Sequence, residues 1–173
     1  MDLKKTIRNI PGWPIKGVIF RDLTTLMQDP VAFKESCDIL HERYKDMDID
    51  KVVGIDARGF VFGAVLAYKL GIGFVPVRKK GKLPFKTIQE TYSLEYGEDI
   101  LEIHEDAVEK DEKVIIVDDL IATGGTAGAT VKLVKKLGAK ILECAFIVEL
   151  PDLKGRQQVK DCKVFSIIEF EGD

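Results

Sequence analysis

The chain has 173 residues, of which 46% are hydrophobic and 32% charged, with a formal net charge of −3. That length fits one domain with its own core, the composition is that of an ordinary globular protein rather than a disordered one, and the slightly acidic balance argues against nucleic-acid binding. Cys37, Cys144 and Cys162 are odd in number and lack any Cys-x-x-Cys spacing, so neither a disulfide framework nor a zinc site is expected.

No stretch approaches the roughly 18 apolar residues of a membrane span, and the charged start Met1-Asp2-Leu3-Lys4-Lys5 leads into no signal-peptide core. A reducing cytoplasm is the expected setting. Leu3, Ile7 and Ile10 fall at helical spacing and Pro11 ends the pattern, which predicts a short amphipathic helix. The turn-rich Pro11-Gly12-Trp13-Pro14 follows, then Val18, Ile19 and Phe20 as a short apolar run between Lys16 and Arg21. Over 31–45, Phe33, Cys37, Leu40 and Tyr44 mark an amphipathic helix. Residues 51–56 read as a strand and 60–70 as a helix closed by Gly71. Between them stands Asp56-Ala57-Arg58-Gly59. An arginine at the mouth of a helix offers phosphate a two-pronged donor that lysine does not reproduce.

A third strand over 74–77 delivers Arg78-Lys79-Lys80-Gly81-Lys82, a run of positive charge too concentrated to serve solubility alone. Residues 84–91 read as irregular. Tyr92, Leu94 and Tyr96, then Leu101 and Ile103 beyond a Gly97-Glu98-Asp99 turn, alternate as an antiparallel pair. Residues 141–148 form another strand, 150–157 a polar loop and 164–168 a last short strand. Strands alternating with helices predict an α/β fold with a central, mainly parallel sheet flanked by helices.

The chemistry concentrates in 114–126. Val114, Ile115, Ile116 and Val117 have no polar face, as in a strand covered on both sides, so a ligand is expected at the carboxyl end. Asp118 and Asp119 come next, followed by Ala122, Thr123, Gly124, Gly125 and Thr126, small residues whose amides approach an anion closely. Ala127, Val131, Val134 and Leu137 then recur at helical spacing as far as Gly138, which aims the positive end of a helix at the same loop. No Gly-Lys-Ser/Thr follows, so this is not a triphosphate-binding P-loop. A monophosphate fits, held by amides and the Thr123 and Thr126 hydroxyls. The two carboxylates would repel it, and make sense facing vicinal sugar hydroxyls or a Mg²⁺ ion carried by the substrate. Together these parts describe a grip for ribose 5-phosphate.

This strand, acid pair and Thr-Gly-Gly-Thr loop resemble the diphosphate-sugar signature of the type I phosphoribosyltransferases. Further stretches resemble that family's adenine-specific branch, in the same order: Ile19-Phe20-Arg21-Asp22, Asp56-Ala57-Arg58-Gly59-Phe60, Arg78-Lys79-Lys80-Gly81-Lys82-Leu83-Pro84, Tyr92-Ser93-Leu94-Glu95-Tyr96-Gly97 and Leu153-Lys154-Gly155-Arg156. The likeness spans nearly the whole chain. It implies a single domain over 1–173, with an N-terminal helix and base-covering hood over 1–30 and a flexible flap over 83–105. It also implies transfer of a 5-phosphoribosyl group from its 1-diphosphate to adenine, with Mg²⁺ as cofactor and a homodimeric enzyme.

By resemblance, Val18, Phe20, Arg21 and Tyr96 contact adenine, and Asp56, Ala57, Arg58, Arg78, Lys79 and Lys82 hold pyrophosphate. In that family a cis peptide often joins the acid of the Asp56-Ala57 type to the next residue, a feature sequence does not display. Arg58, Asp118 and Asp119 are then the expected catalytic groups, with Glu95 as the candidate proton acceptor. An exposed strand carboxylate is the competing reading of Glu95, and water or Asp119 the competing acceptors. Leu153-Lys154-Gly155-Arg156 has no derivable role beyond packing or an interface. The rival functions are transfer to another purine, and a catalytically silent regulator, for which the chain shows no added basic module.

Overall fold

The β-branched runs of the sequence become the middle of a seven-stranded sheet. A computed structural model describes residues 1–94 and 97–172, so the expectations for Glu95 and Tyr96 lie outside the described residues. In chain order the elements are β1 (Arg8–Pro11), β2 (Ile19–Asp22), α1 (Thr24–Gln28), α2 (Pro30–Tyr44), β3 (Lys51–Ile55), α3 (Arg58–Leu70) and β4 (Gly73–Lys79). They continue with β5 (Thr87–Ser93), β6 (Glu98–His104), β7 (Lys113–Ile121), α4 (Gly125–Lys136), β8 (Lys140–Glu149) and β9 (Val164–Glu169). The sheet order is β5-β6-β4-β3-β7-β8-β9. From β4 to β9 all neighbours are parallel. The β5–β6 hairpin joins β4 antiparallel at Arg78↔Glu102 and Lys79↔Leu101. The expected α/β class, with a mainly parallel sheet and an antiparallel flap, is what forms.

Successive strand residues feed two separate cores, as the period of two requires. Val52, Ile115, Val117, Ala145 and Ile147 face α2, α3 and the N-terminal segment. Val53, Ile55, Val114, Ile116, Cys144 and Phe146 face α4 and the β5–β6 hairpin. Both faces being covered, the strands carry no polar alternation. On the first face Glu143 is a buried polar anchor. Its carboxylate accepts from Arg43 Nε and Nη2, both at 2.7 Å, and from Tyr44 Oη at 2.6 Å.

Four expectations are corrected. The N-terminus forms a 3-10 turn over Leu3–Thr6 and then β1, which pairs antiparallel with β2. Leu3 and Ile7 are buried, so their spacing was a true core signal, but pairing with β2, the next strand along the chain, makes 8–11 extended. Strand β5 begins at Thr87, within the stretch expected to be irregular, and Glu98 and Asp99 open β6 rather than forming the turn. Here the buried Glu102 carboxylate accepts from Gln89 Nε2 at 2.7 Å and the Gly81 amide at 3.1 Å, which holds a polar stretch in a sheet. Strand β7 does not stop at Val117. It carries Asp118 and Asp119 within it, because β8 runs alongside and pairs Asp118↔Phe146 and Leu120↔Val148. Lastly, the polar loop after β8 contains 3-10 turns at Pro151–Leu153 and Gly155–Val159, with Gly155 and Val159 buried.

Phe62 lies at the centre of the first core, fully buried and 5.7 Å from the Phe33 ring. Phe62→Ala is expected to lower stability by about 3–5 kcal/mol, read as a shifted urea midpoint at unchanged slope.

Candidate active site

The connections leaving β3 and β7 diverge. From β3 the chain crosses through α3 to β4 on one side, and from β7 through α4 to β8 on the other. Two adjacent parallel strands whose crossovers part in this way leave a crevice at their carboxyl ends. A cavity of about 460 Å³ occupies it, lined by Asp56, Ala57 and Arg58 after β3 and by Asp118, Asp119, Leu120 and residues 122–126 from β7 onward. Separate sequence stretches thus meet in one place.

Asp118 and Asp119 are both buried. Arg58, the first residue of α3, donates through Nε to Asp119 Oδ2 in a tight ion pair. The Asp119 amide donates to Asp118 Oδ1 at 2.8 Å. Burial, and then the charge of Asp119 beside it, pushes the Asp118 carboxyl well above the usual aspartate range. One acid of the pair is therefore matched to a cation, and the other is protonated or waiting for one. Helix α3 approaches this pair closely enough that a Cβ at Gly59 would lie 2.8 Å from Asp118 Oδ1.

Gly124, at φ +85°, caps α4 without any side-chain hydrogen bond. The first amides of a helix have no partner inside it. With no side chain taking them, those of α4 remain available to an anion, and the helix dipole favours one there. Thr123 and Thr126 line the same pocket.

The remaining sequence candidates stand further out. Arg78 reaches the cavity through Asp56, to whose Oδ2 its Nε donates at 3.0 Å. Lys79 is exposed and paired with Asp99 of the flap, whose carboxylate also accepts from Tyr92 Oη at 3.3 Å. Lys82 is exposed. In the hood, Val18 is exposed, and half-buried Phe20 meets Trp13 edge-on with centroids 4.5 Å apart. Arg21 is buried, donating to Asn9 Oδ1 at 2.7 Å and stacking over Phe170. Hydrogen bonds from Thr24 hold the Asp22 carboxyl below its usual range, and Arg8 and Arg58 add to that.

Tyr92, Ser93, Leu94 and Leu120 also line the cavity. Sequence reasoning did not name them as site residues. Their signals were the resemblance of Tyr92-Ser93-Leu94 to the family and the place of Leu120 within 114–126, together with the strand alternation at Tyr92 and Leu94, which a packing role explains equally well. The Asp56–Ala57 peptide is cis. Among the described residues no group of three or more His, Cys, Asp or Glu side chains is placed to hold a metal.

A family model described as phosphoribosyl transferase domain matches residues 23–173. The adenine phosphoribosyltransferase of Desulfosudis oleivorans is 65% identical over 173 residues, which covers the whole of both chains. The chain belongs to the adenine phosphoribosyltransferase family. Its structure agrees with that placement. The family's enzyme from Thermoanaerobacter pseudethanolicus superposes with a TM-score of 0.94 at 47% identity, over 98% of either chain. That of Saccharomyces cerevisiae, solved with an imino-altritol bisphosphate and adenine, does so with a TM-score of 0.90 at 43% identity, over 96% of either chain.

The folded protein holds the Asp118 proton more tightly than the unfolded chain, so stability is lost as pH rises from the ordinary aspartate value, about 3.9, through the raised folded value. Asp118→Asn removes that loss. The thermal midpoint of the variant relative to the parent is expected to climb as pH rises above about 4. A difference that stays flat would mean that Asp118 is ionised in the free protein.

Proposed function

We propose that the protein is a purine-salvage transferase that moves the 5-phosphoribosyl group of 5-phosphoribosyl 1-diphosphate onto adenine, giving AMP and pyrophosphate. One observation carries this reading: a buried acid pair, an arginine and an uncapped helix start converge on one crevice in a member of this family.

In this assignment the amides of Ala122, Thr123, Gly124, Gly125 and Thr126, with the two threonine hydroxyls, hold the 5-phosphate. Asp118 and Asp119 accept from the ribose hydroxyls. The bond from C1 to the diphosphate lengthens before the bond to the base forms, so positive charge gathers on the ring beside the acid pair and negative charge on the departing group. Arg58 turns from Asp119 toward that group, supported by Asp56 and Ala57 of the same turn and by Arg78, Lys79 and Lys82. No covalent nucleophile takes part. Phe20 packs on the purine, Val18 and Arg21 offer peptide groups to its edge, and Tyr96 approaches from the flap. Adenine presents a ring acceptor and an exocyclic amine, which a peptide unit complements. Glu95 takes the proton that the adenine ring loses, with Asp119 or water as the alternatives.

Magnesium belongs to this reading as a companion of the diphosphate. Asp118 and Asp119 fit it, since Mg²⁺ typically accepts one or two carboxylates when phosphates and water complete its shell; when bound it adds positive charge at the leaving group. We assign the whole of 1–173 to one domain, with the hood within 1–30 and the flap over 83–105 closing to exclude water from the reactive sugar. A homodimeric state and a cytoplasmic setting follow from the family resemblance. Among the described residues no helix is long and apolar enough to cross a membrane.

The direct test is pyrophosphate release from phosphoribosyl diphosphate with Mg²⁺, offering adenine, hypoxanthine, guanine and xanthine in parallel. Release with adenine alone is expected. Release with an oxopurine instead would overturn the base assignment, and binding without release on any base would favour the regulator. Arg58→Ala is expected to lower turnover by about a hundredfold or more while AMP affinity changes far less; equal losses would remove Arg58 from the leaving group.

A further inference from the structure

Leu153-Lys154-Gly155-Arg156 is absorbed by none of the chemistry above, and its surroundings give it a task. The loop over 122–126 is bonded to the first turns of α4 through the Gly128 amide and Thr130 Oγ1, and to no side chain at its helix cap. It contains two glycines, and the helix it opens lacks a side-chain cap. Yet donors that bind phosphate must be held within about 0.5 Å of their working positions. Something outside the loop has to hold it.

The chain after β8 lies directly against it. A Cβ on Gly155 would fall 2.4 Å from the Ala122 carbonyl oxygen and 3.2 Å from the Gly124 nitrogen, and a Cβ on Gly124 would fall 2.3 Å from the Gly155 carbonyl oxygen. Two backbones therefore touch, with no side chain between them to yield. One turn along, a Cβ on Gly128 would meet the Gln158 carbonyl oxygen at 3.1 Å. The loop and the first turn of α4 both rest on 155–158. Lys154, at φ +56°, turns the chain into this position.

What fixes 155–158 in turn is a bidentate ion pair. Arg156 donates through Nε and Nη2 to the two oxygens of Glu149, each at 2.7 Å, and Ser166 Oγ donates to the same carboxylate at 2.7 Å. Glu149 is buried, and it stands opposite Ile121 in the β7–β8 register, one residue before the loop begins. The Leu150 amide donates to the Ile121 carbonyl at 3.0 Å. The pair thus spans from the strand end that launches the loop to the segment that supports it.

We propose that Arg156 and Glu149 are positioning residues for the 5-phosphate, latching 155–158 behind the loop so that its amides keep their geometry. This rests on the loop being the 5-phosphate site. It assigns the pair to the sugar phosphate and leaves adenine recognition alone.

Arg156→Lys keeps the charge and most of the stem but loses the planar fork. Its expected signature is a KM for phosphoribosyl diphosphate raised about tenfold or more, with the KM for adenine within about twofold. Arg43→Lys is the control. It breaks an equally bidentate pair, between α2 and Glu143 near the start of β8, and is expected to lower the thermal midpoint without changing the ratio of the two KM values. Gly155→Ala, pushing directly on Ala122, is expected to reproduce the Arg156→Lys split. Ribose 5-phosphate affinity, measured by calorimetry, gives a readout free of turnover and should fall in Arg156→Lys and Gly155→Ala but not in Arg43→Lys. If Arg156→Lys leaves the KM ratio and the ribose 5-phosphate affinity at parental values, or shifts both KM values together as Arg43→Lys does, the proposal is overturned. Parental protein that binds ribose 5-phosphate but releases no pyrophosphate with any purine would instead sink the functional reading, and the calorimetric comparison would still decide the latch.

Discussion

Two carboxyl groups side by side on a buried strand end are an unstable arrangement unless something cationic comes to them. Arg58 does, reaching from the start of α3 to Asp119 across the crevice. The contact depends on β3 and β7 being neighbours and parallel, so that both deliver their following turns to the same rim. It also depends on the crossovers parting there, because helices placed on opposite faces leave the rim open. The site is thus a consequence of strand order before it is a matter of any side chain.

Charge is distributed around the crevice in a way that suits a substrate carrying both a cation-like sugar and anionic groups. The acids lie on β7, the α4 helix start follows them along the chain, and Arg58 reaches Asp119 from the start of α3. Arg78 does not enter the cavity but holds Asp56, so the basic run contributes partly by fixing an acid in the turn after β3. Lys79 is engaged with Asp99, tying the flap hairpin to the end of β4. The basic residues that look like a uniform patch in sequence therefore divide into different structural roles. The loop that offers its amides is supported from behind by backbone packed on backbone, which is the least compliant contact a protein makes.

Much of this was legible from residue order. Val114 to Val117 is a run that only a doubly covered strand accommodates, and both of its faces are buried. Gly71 and Gly138 mark where helices end, and both adopt the left-handed backbone that such positions need. The small residues after Asp119 announced a loop open to an anion. Less was legible where another segment decides the backbone. Ile10 read as the end of a helix, whereas pairing with β2 makes 8–11 extended, and spacing alone carries no information about that partner. Strand β7 looked finished at Val117 because acids are rare in strands; β8 carries it four residues further. Nothing in Leu153-Lys154-Gly155-Arg156 announces contact with a loop some thirty positions earlier.

The sequence by itself determined which local chemistry the chain offers: an acid pair, an uncapped glycine loop, an arginine at a helix start, and apolar runs that must be covered on both sides. Those are properties of neighbours along the chain, and short-range sterics and charge decide them. The tertiary structure alone decided that Arg58 meets Asp119, that Asp118 sits in surroundings favouring its protonated form, that Tyr92 and Leu94 close one wall, and that Arg156 pairs with Glu149 where Gly155 packs on the loop over 122–126. Each of these joins distant segments through sheet register or backbone contact. Register is fixed only when the hydrophobic faces of all the strands are buried together.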